Sequence, residues 1–306
     1  MNPNIKAWFF IIILAFIWGS SFILMKLGMY DANGNVVFSD TQVASLRMLI
    51  ASIALLPFGI FTLRKITSYS DVLFLLVVGT CGNFVPAFLF TYAETELSSG
   101  VAGMLNSFTP FFTLFIGILI FNQKTNLKQI AGMALAFLGM CVLVGLFNSD
   151  LGQLNLSHIL AILLATLMYG TSLNTIKYKL QHFKPLEIAA LSFSLLVIPS
   201  LIAFFIFNVP TAFKHHSLAY HSLFYISLLS IFGTCLALLL FNKVIALKSP
   251  VFASMVTYFI PFVALFLGNF FYDEAVSLMQ LCGIVIVILG VLIMNFSTQK
   301  ATFINE

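Results

Sequence analysis

The sequence predicts an all-α polytopic membrane protein with ten transmembrane helices, which form two inverted five-helix repeats. Three observations support this fold class: the composition is apolar, ten apolar runs are long enough to cross a bilayer, and a residue pattern recurs half a chain apart. Hydrophobic residues make up 61% of the 306 residues and charged residues only 8%, whereas about one quarter of an ordinary soluble domain is charged. So few charges cannot cover a surface that faces water, and most side chains must therefore face lipid or other helices.

Each predicted span is an apolar run of about 20 residues, the length that a helix needs to cross the hydrocarbon core. The breaks between runs contain turn-forming residues, as in DANGN at 31–35, NQKTN at 122–126 and KSP at 248–250. In the N-terminal repeat, residues 1–150, the spans are 7–29, 41–63, 71–93, 98–121 and 127–147. In the C-terminal repeat, residues 151–306, they are 156–178, 186–207, 220–242, 249–271 and 277–296.

The first apolar run is expected to remain in the protein as its first span. It follows only MNPNIK, it is longer than the apolar part of a signal peptide, and no A-x-A cleavage site comes after it. The net charge of +4 belongs to a chain without a soluble domain. The expected partners are therefore the lipid bilayer and a small-molecule substrate, with no nucleic acid.

Basic residues indicate the orientation of the spans. With a cytoplasmic amino terminus, eleven of the 14 Lys and Arg residues fall on the inner side and only Lys214 on the outer side, while Lys26 and Arg47 lie within spans. Cytoplasmic loops of membrane proteins carry such an excess of Lys and Arg. Both termini are therefore expected in the cytoplasm. The inner set comprises Lys6, Arg64, Lys65, Lys124, Lys128, Lys177, Lys179, Lys184, Lys243, Lys248 and Lys300.

The repeated pattern joins the two halves. WGSSFILMK at 18–26 in the first span returns as YGTSLNTIK at 169–177 in the sixth, an offset of 151 residues. The same offset pairs glycines, a proline and several apolar residues, among them Met104 with Met255, Phe108 with Phe259, Pro110 with Pro261, Gly117 with Gly268, Gly132 with Gly283 and Gly139 with Gly290. Chance apolar similarity does not place a proline and glycines in register.

The number of spans in each half makes the repeat an inverted one. Five is odd, so the second half enters the membrane from the side opposite to the first. Two similar bundles related in this way can exchange conformations, which opens a central site to one side of the membrane and then to the other. The sequence therefore predicts a transporter that works by alternating access.

These residues also resemble those of a known family, the EamA type of the drug/metabolite transporter superfamily. WGSSF in the first span and YGTS in the sixth carry the resemblance, together with FNKVIALKSPVFASMVTYFIPFVALFLG at 241–268, the acidic DE that follows and QLCGIVIVILGV at 280–291. It covers nearly the whole chain. Gln123 stands where Glu274 stands in the second half, so the first half departs from the pattern.

The resemblance implies a carrier in the bacterial inner membrane that exports a small metabolite such as an amino acid or a similar zwitterion. It implies a central cavity lined by the first four spans of each half, with spans five and ten as peripheral supports. The superfamily also moves sugars, nucleobases and cationic drugs, so a multidrug, sugar or nucleobase permease is the alternative.

Two cations inside the spans are candidate binding residues. Arg47 lies six residues past Thr41, and inserting a guanidinium into the membrane costs about 2.5–3.5 kcal/mol. It therefore faces either a wet cavity, where it would meet an anionic or zwitterionic substrate, or the outer interface, where Asp31 or Asp40 would pair with it. Lys26 can bind substrate or extend to the nearby outer interface.

Polar and aromatic residues at mid-membrane depth are further candidates, although they could equally hold helices together. Those of the repeated pattern are Trp18, Ser20 and Ser21 in the first span and Tyr169, Thr171, Ser172 and Asn174 in the sixth. A second group has similar chemistry without a motif: Asn83, Tyr92, Asn106, Asn242, Thr257 and Tyr258.

Three prolines within spans are predicted to act in gating. Pro86, Pro110 and Pro261 each remove a backbone hydrogen bond and interrupt a helix, and interrupted helices border the sites of many transporters. The alternative is a simple adjustment of helix shape. The glycines at 132, 139, 283 and 290 are predicted to allow close helix contact.

No Asp or Glu lies deep in a predicted span, which leaves the boundary acids Glu94, Glu96 and Glu274 as candidates for a proton relay. The four cysteines lack metal-binding spacing and a nucleotide-binding G-x-x-x-x-G-K-[ST] motif is absent, so no metal and no cofactor are expected.

Two other functional classes fit less well. A membrane-embedded enzyme would need a catalytic His, carboxylate or Cys cluster, and a passive channel would need a pore lined by charges or carbonyls. We expect a transporter that is not an enzyme, as a monomer or a homodimer.

Overall fold

The computed structural model describes residues 3–97, 99–143, 155–263 and 278–302, and these residues are helical apart from their turns. In the N-terminal half the helices are α1 (Pro3–Met29), α2 (Asp40–Thr62), α3 (Tyr69–Gly79), α4 (Val85–Ala93), α5 (Ser99–Asn106), α6 (Thr109–Phe121) and α7 (Leu127–Leu143). In the C-terminal half they are α8 (Leu156–Lys179), α9 (Pro185–Ile206), α10 (Val209–His215), α11 (Ala219–Leu228), α12 (Ala237–Leu247), α13 (Pro250–Ser254) and α14 (Leu278–Thr302).

The helices are long and apolar enough for a multi-pass membrane protein. Six continuous stretches qualify as spans by length and hydropathy: Asn4–Met29, Asp40–Lys65, Tyr69–Ala93, Leu156–Lys179, Pro185–Ile206 and Ala219–Leu247. Four shorter apolar helices accompany them: Thr109–Phe121, Leu127–Gly139, Pro250–Val263 and Leu281–Ile293. Their outer faces carry exposed apolar side chains such as Phe61, Leu119 and Ile198, which is the surface that lipid requires.

Polar caps fix the starts of several helices close to the breaks in the sequence. Ser39 caps α2, where its hydroxyl accepts from the backbone N–H of Gln42 and the Gln42 side chain accepts from the backbone of Ser39. Ser68 and Asp71 form the same reciprocal pair at the start of α3. Such caps satisfy backbone donors that a helix leaves unpaired. The predicted and observed bounds therefore differ by only a few residues wherever both ends are described.

Four of the predicted spans contain interruptions that hydropathy does not show. The third and eighth spans each include a π-helical segment, Thr80–Phe84 and Leu229–Leu236 respectively. The fourth breaks between α5 and α6, and the ninth changes to a 3₁₀ helix at Met255–Tyr258. The predicted end of the fifth span, the end of the ninth and the start of the tenth lie outside the described residues.

Corresponding helices of the two halves pack against each other. α2 lies along α9, and α7 lies along α14. Across the molecule α1 packs on α11 and α12, while α8 packs on α3 and α4. At the contact of α7 with α14, a methyl group on Gly139 would meet Val287 and one on Gly290 would meet Ala136, so the predicted close contact of these helices is confirmed.

Gly170 lies where α8 crosses the start of α6. A methyl group on Gly170 would lie 2.8 Å from the carbonyl carbon of Phe112. Gly19 occupies the equivalent place in α1, where a methyl group would lie 2.8 Å from the Val263 side chain. Because the obstacle at Gly170 is backbone, it cannot turn away from an added side chain.

Substituting Gly170 with alanine is expected to destabilise the protein by about 1–3 kcal/mol, the usual cost of forcing extra atoms into a packed contact. A fall in Tm in detergent would measure it. Gly103→Ala is the matched control, because the nearest atom to a methyl group there is 3.7 Å away and alanine favours a helix over glycine. Equal Tm values for the two variants would contradict the tight crossing.

Candidate functional site

A cavity of about 120 Å³ lies between the two halves. Helices α1, α2, α4, α5, α6, α8 and α12 contribute to its walls, together with both π-helical segments and the 3₁₀ helix Met255–Tyr258. Most of the lining is apolar, with a few polar groups between. It comprises Trp18, Ser21, Phe22, Met25, Arg47, Gly82, Asn83, Phe90, Asn106, Thr109, Tyr169, Ser172, Leu173, Ile176, Gly233, Thr234, Leu238, Phe241, Thr257 and Ile260.

Among the described residues that line the cavity, Arg47 alone carries a charged side chain. Its Nε donates to the Thr234 hydroxyl oxygen at 3.0 Å, so α2 reaches across to the π-helical segment of the other half. No carboxylate oxygen in the described ranges lies within 4.0 Å of the guanidinium. Asp31 instead accepts hydrogen bonds from Asn33 and Asn35 in its own turn. Of the two alternatives, the structure has Arg47 facing the cavity.

Trp18 closes one wall of the cavity. Its indole Nε1 donates to the Gly233 carbonyl at 3.0 Å, and its ring meets Phe241 edge-on with centroids 4.9 Å apart. A π-helical turn shifts the hydrogen-bonding register of a helix, which offers a carbonyl to a neighbour. The hydroxyl of Ser21 donates within its own helix, to the Ile17 carbonyl.

Tyr169 and Ser172 form the equivalent wall from α8. The Tyr169 ring stacks on Phe90 with centroids 6.0 Å apart. The Ser172 hydroxyl donates to the Val78 carbonyl at 3.5 Å, and Gly82 lies directly against this hydroxyl. Tyr169 occupies the place of Trp18, one half-chain later.

Two interrupted helices bring polar groups to the cavity. Where α5 ends, the Thr109 hydroxyl donates to the Asn106 carbonyl at 2.6 Å. The Ser107 hydroxyl donates to the Thr257 carbonyl at 3.1 Å and so ties this break to the 3₁₀ helix of the other half. The Asn83 amide nitrogen is buried and has no hydrogen-bond partner in the part of the chain that the structure describes. A buried donor of this kind needs a ligand or water to complete its hydrogen bonding.

The predicted gating prolines lie beside these interruptions. Pro86 is the second residue of α4, directly after the first π-helical segment, and Pro110 is the second residue of α6, directly after the break. Pro261 follows the 3₁₀ helix, with its ring 3.7 Å from the position of a methyl group on Gly103. The structure thus shows helix interruptions at or beside all three prolines.

Of the fifteen predicted binding residues, eight line the cavity: Trp18, Ser21, Arg47, Asn83, Asn106, Tyr169, Ser172 and Thr257. The other seven lie outside the lining, and most have structural partners. The Ser20 and Thr171 hydroxyls donate to carbonyls of their own helices. The Asn174 amide donates to the Thr113 and Gly170 carbonyls, and the Asn242 amide donates to the Pro185 carbonyl. Tyr92 stacks on His158, Tyr258 is fully buried, and Lys26 lies next to the lining residue Met25.

Several lining residues were absent from the sequence-based selection. Phe90 and Phe241 look like ordinary lipid-facing residues of apolar runs, yet they are separated by the same 151 residues as Trp18 and Tyr169. Gly82 and Gly233 share this offset. A search of the repeat for matched aromatic and glycine residues would have found all four. Thr234, the partner of Arg47, corresponds at this offset to Asn83, which is also a polar residue of the lining.

The described residues that line the cavity include no His, Cys, Asp or Glu side chain. Within the described ranges, no cluster of three or more His, Cys, Asp or Glu residues could hold a metal ion. One cation, one free amide and several hydroxyls in an apolar enclosure can orient a small polar molecule.

Sequence comparison connects both halves to the same family. The profile of the EamA-like transporter family matches residues 5–145 and again residues 156–296. The chain is 24% identical over 304 residues to the "uncharacterized transporter YoaV" of Bacillus subtilis, which covers 97% of this chain and 99% of the relative.

A second relative has a more specific name. The "probable amino-acid metabolite efflux pump" of Salmonella typhimurium is 27% identical over 139 residues, which is 45% of this chain and 43% of the relative. A solved crystal structure matches with a TM-score of 0.67 at 12% identity and covers 96% of this chain and 98% of the other. This last likeness concerns the fold alone.

Proposed function

The chain belongs to the EamA-like transporter family of the drug/metabolite transporter superfamily, and from this premise we propose that it is a secondary carrier that exports a small carboxylate-bearing metabolite, such as an amino acid, by alternating access. Family membership and the names of its relatives indicate a transporter and not an enzyme. The proposed location is the bacterial inner membrane, with both termini in the cytoplasm and the protein as a monomer or a homodimer.

The observation that carries the proposal is that Arg47 lines the cavity without an anionic partner among the described residues. A guanidinium inside a membrane protein is costly to bury without an anionic partner, and among described residues Arg47 has only the Thr234 hydroxyl as a hydrogen-bond partner. A substrate carboxylate would complete its coordination, because guanidinium and carboxylate form paired hydrogen bonds. The Asn83 amide, which has no partner among the described residues, supplies a second donor in the same cavity.

The names of relatives support an amino acid as the substrate and export as the direction. Probable amino-acid metabolite efflux pumps of Salmonella typhimurium and Escherichia coli match about half of this chain at 27% identity. We propose Trp18, Ser21, Arg47, Asn83, Asn106, Tyr169, Ser172 and Thr257 as the substrate-binding residues.

The packing of the helices supports an inverted repeat of ten spans, made of residues 1–150 and 151–306. Gly19 meets Val263, and Gly170 meets Phe112, with each partner 151 residues from its counterpart. The helix pairs α2 with α9 and α7 with α14 join corresponding elements of the two halves, as a two-fold relation requires. Both π-helical segments fall at corresponding places in their halves.

The proposed inverted repeat places two equivalent aromatic contacts at the cavity, which we propose as gates. Phe90 on Tyr169 and Phe241 on Trp18 are equivalent aromatic contacts. With a cytoplasmic amino terminus, α4 runs toward the outer surface and α12 toward the inner one, so the two contacts border the cavity from opposite sides. Opening one while the other stays closed gives alternating access.

Transport in liposomes tests the proposal with three matched probes. Propionate has a carboxylate, ethylamine an ammonium group, and L-alanine both. Purified protein is expected to give saturable flux of L-alanine or propionate that accelerates when unlabelled probe is present on the far side. Ethylamine flux without flux of the two carboxylates would contradict carboxylate recognition, and an ohmic current would indicate a channel.

A further inference from the structure

Glu94 is a buried acid next to the cavity. It follows α4 in the turn after the third span, one helical turn beyond the cavity residue Phe90, and only 2% of it is exposed. Neither of its carboxyl oxygens has a hydrogen-bond partner among the described residues. Hydropathy does not indicate this burial, because Glu94 belongs to the polar stretch ETE between two apolar runs.

Two cations act on this carboxyl group from neighbouring helices. Lys26 of α1 and Arg47 of α2 both interact with it electrostatically, although neither lies within 4.0 Å of a carboxylate in the described residues. Two residues of α8 lie near this cluster. The Tyr169 side chain interacts electrostatically with Arg47, and His158 Nδ1 lies 3.4 Å from Glu96 Oε2. Glu94 therefore shares a charge cluster with the residue proposed to bind substrate.

Burial and charge oppose each other at Glu94. A carboxylate that loses its water without gaining hydrogen bonds is costly, and the two cations only partly offset this cost. Burial raises the pKa of Glu94 from 4.5 to about 8. The group can therefore bind and release a proton at the pH of living cells.

A substrate carboxylate at Arg47 would add a second negative charge to this cluster. A like charge nearby favours the neutral form of an acid, so an occupied site would promote proton uptake by Glu94. By thermodynamic reciprocity, a proton on Glu94 would strengthen carboxylate binding by the same factor.

We propose that Glu94 is the proton-binding residue of this carrier, which takes up a proton from water when a carboxylate binds at Arg47 and returns it to water when the carboxylate leaves. The inference rests on the carrier function proposed above. Only the O–H bond of the Glu94 carboxyl group forms and breaks. Proton and substrate would leave the cell together, so export would follow the gradient of the substrate itself, and a monocarboxylate would cross without net charge.

Infrared difference spectroscopy of the protein in liposomes tests the proposal without any substrate. The carbonyl stretch of a protonated carboxylic acid is expected to disappear with a midpoint near pH 8 and to be absent from Glu94→Gln. Glu96→Gln is the matched control, because the Glu96 side chain two residues away is 53% exposed. It should retain the transition.

The link to Arg47 is tested by removing positive charge. Lys26→Gln and Arg47→Gln are each expected to raise the Glu94 midpoint by about one pH unit, since an opposite charge nearby favours the carboxylate. A transition that survives in Glu94→Gln, or a midpoint unmoved in both charge variants, would overturn the proposal. The titration uses no transported molecule, so its result does not depend on whether the protein transports carboxylates.

Thermal stability gives a second readout if a variant gives a weak spectrum. The pKa of Glu94 is higher in the folded protein than its ordinary value of 4.5, so the folded state binds more protons between pH 4.5 and about 8. Stability contributed by this group therefore falls as the pH rises through that window. The wild-type Tm should decline relative to that of Glu94→Gln, and parallel profiles would contradict the assignment.

Discussion

Replacing Arg47 by alanine is expected to lower the flux of L-alanine and propionate by at least about 100-fold, while expression stays intact. A charge-assisted hydrogen bond contributes about 1.5–3 kcal/mol, and about 1.4 kcal/mol is a factor of ten. A carboxylate held by a guanidinium in an enclosed cavity loses at least two such bonds. Initial rates in liposomes measure the effect.

Two control variants accompany Arg47→Ala. Arg64 lies in an exposed 3₁₀ turn at the other end of the second span, and Arg64→Ala should leave the flux unchanged. Arg47→Lys keeps the charge but loses the planar donor pair, so an intermediate flux is expected. Undiminished flux in Arg47→Ala would remove this residue from the substrate site.

The two aromatic contacts are expected to respond in opposite directions when each is weakened. Phe90→Leu should increase access to the cavity from outside, and Phe241→Leu should increase access from inside. An aromatic pair contributes about 0.5–1.5 kcal/mol beyond its buried area, so each variant should shift access about two- to tenfold. The two variants should thus differ from each other by up to about 100-fold.

A single cysteine in the cavity reports this access. Thr257→Cys, in a variant whose cysteines 81, 141, 235 and 282 are replaced by alanine, puts a thiol in the lining. A membrane-impermeant maleimide is added to spheroplasts for outside access and to inverted vesicles for inside access. Faster labelling from the same side in both variants would contradict the assignment of the two contacts as opposite gates.

The sequence was sufficient for the features that depend on hydrophobicity and on residue identity. The polar breaks set the helix ends because residues such as Ser39 and Ser68 cap helices. The repeat around Trp18 and Tyr169 led to two opposite walls of the cavity, since both residues line it. These features need no knowledge of which helices touch.

The features that sequence could not supply depend on contacts between distant helices. Thr234 is 187 residues from Arg47, and its role follows only from the hydrogen bond between them. Phe90 and Phe241 are apolar residues in apolar runs, so hydropathy cannot separate a cavity wall from a lipid face. Nor does any local pattern show that Glu94 is buried while Glu96 is exposed.

The central claim is that the two halves cross the membrane in opposite directions. Asn33 lies in the exposed turn after the first span, and His182 lies in the exposed turn after the sixth, the corresponding span of the second half. In a variant without native cysteines, Asn33→Cys should react with an impermeant maleimide on intact cells and His182→Cys only after permeabilisation. Labelling of both cysteines on intact cells, or of neither before permeabilisation, would contradict the inverted repeat and the alternating access built on it.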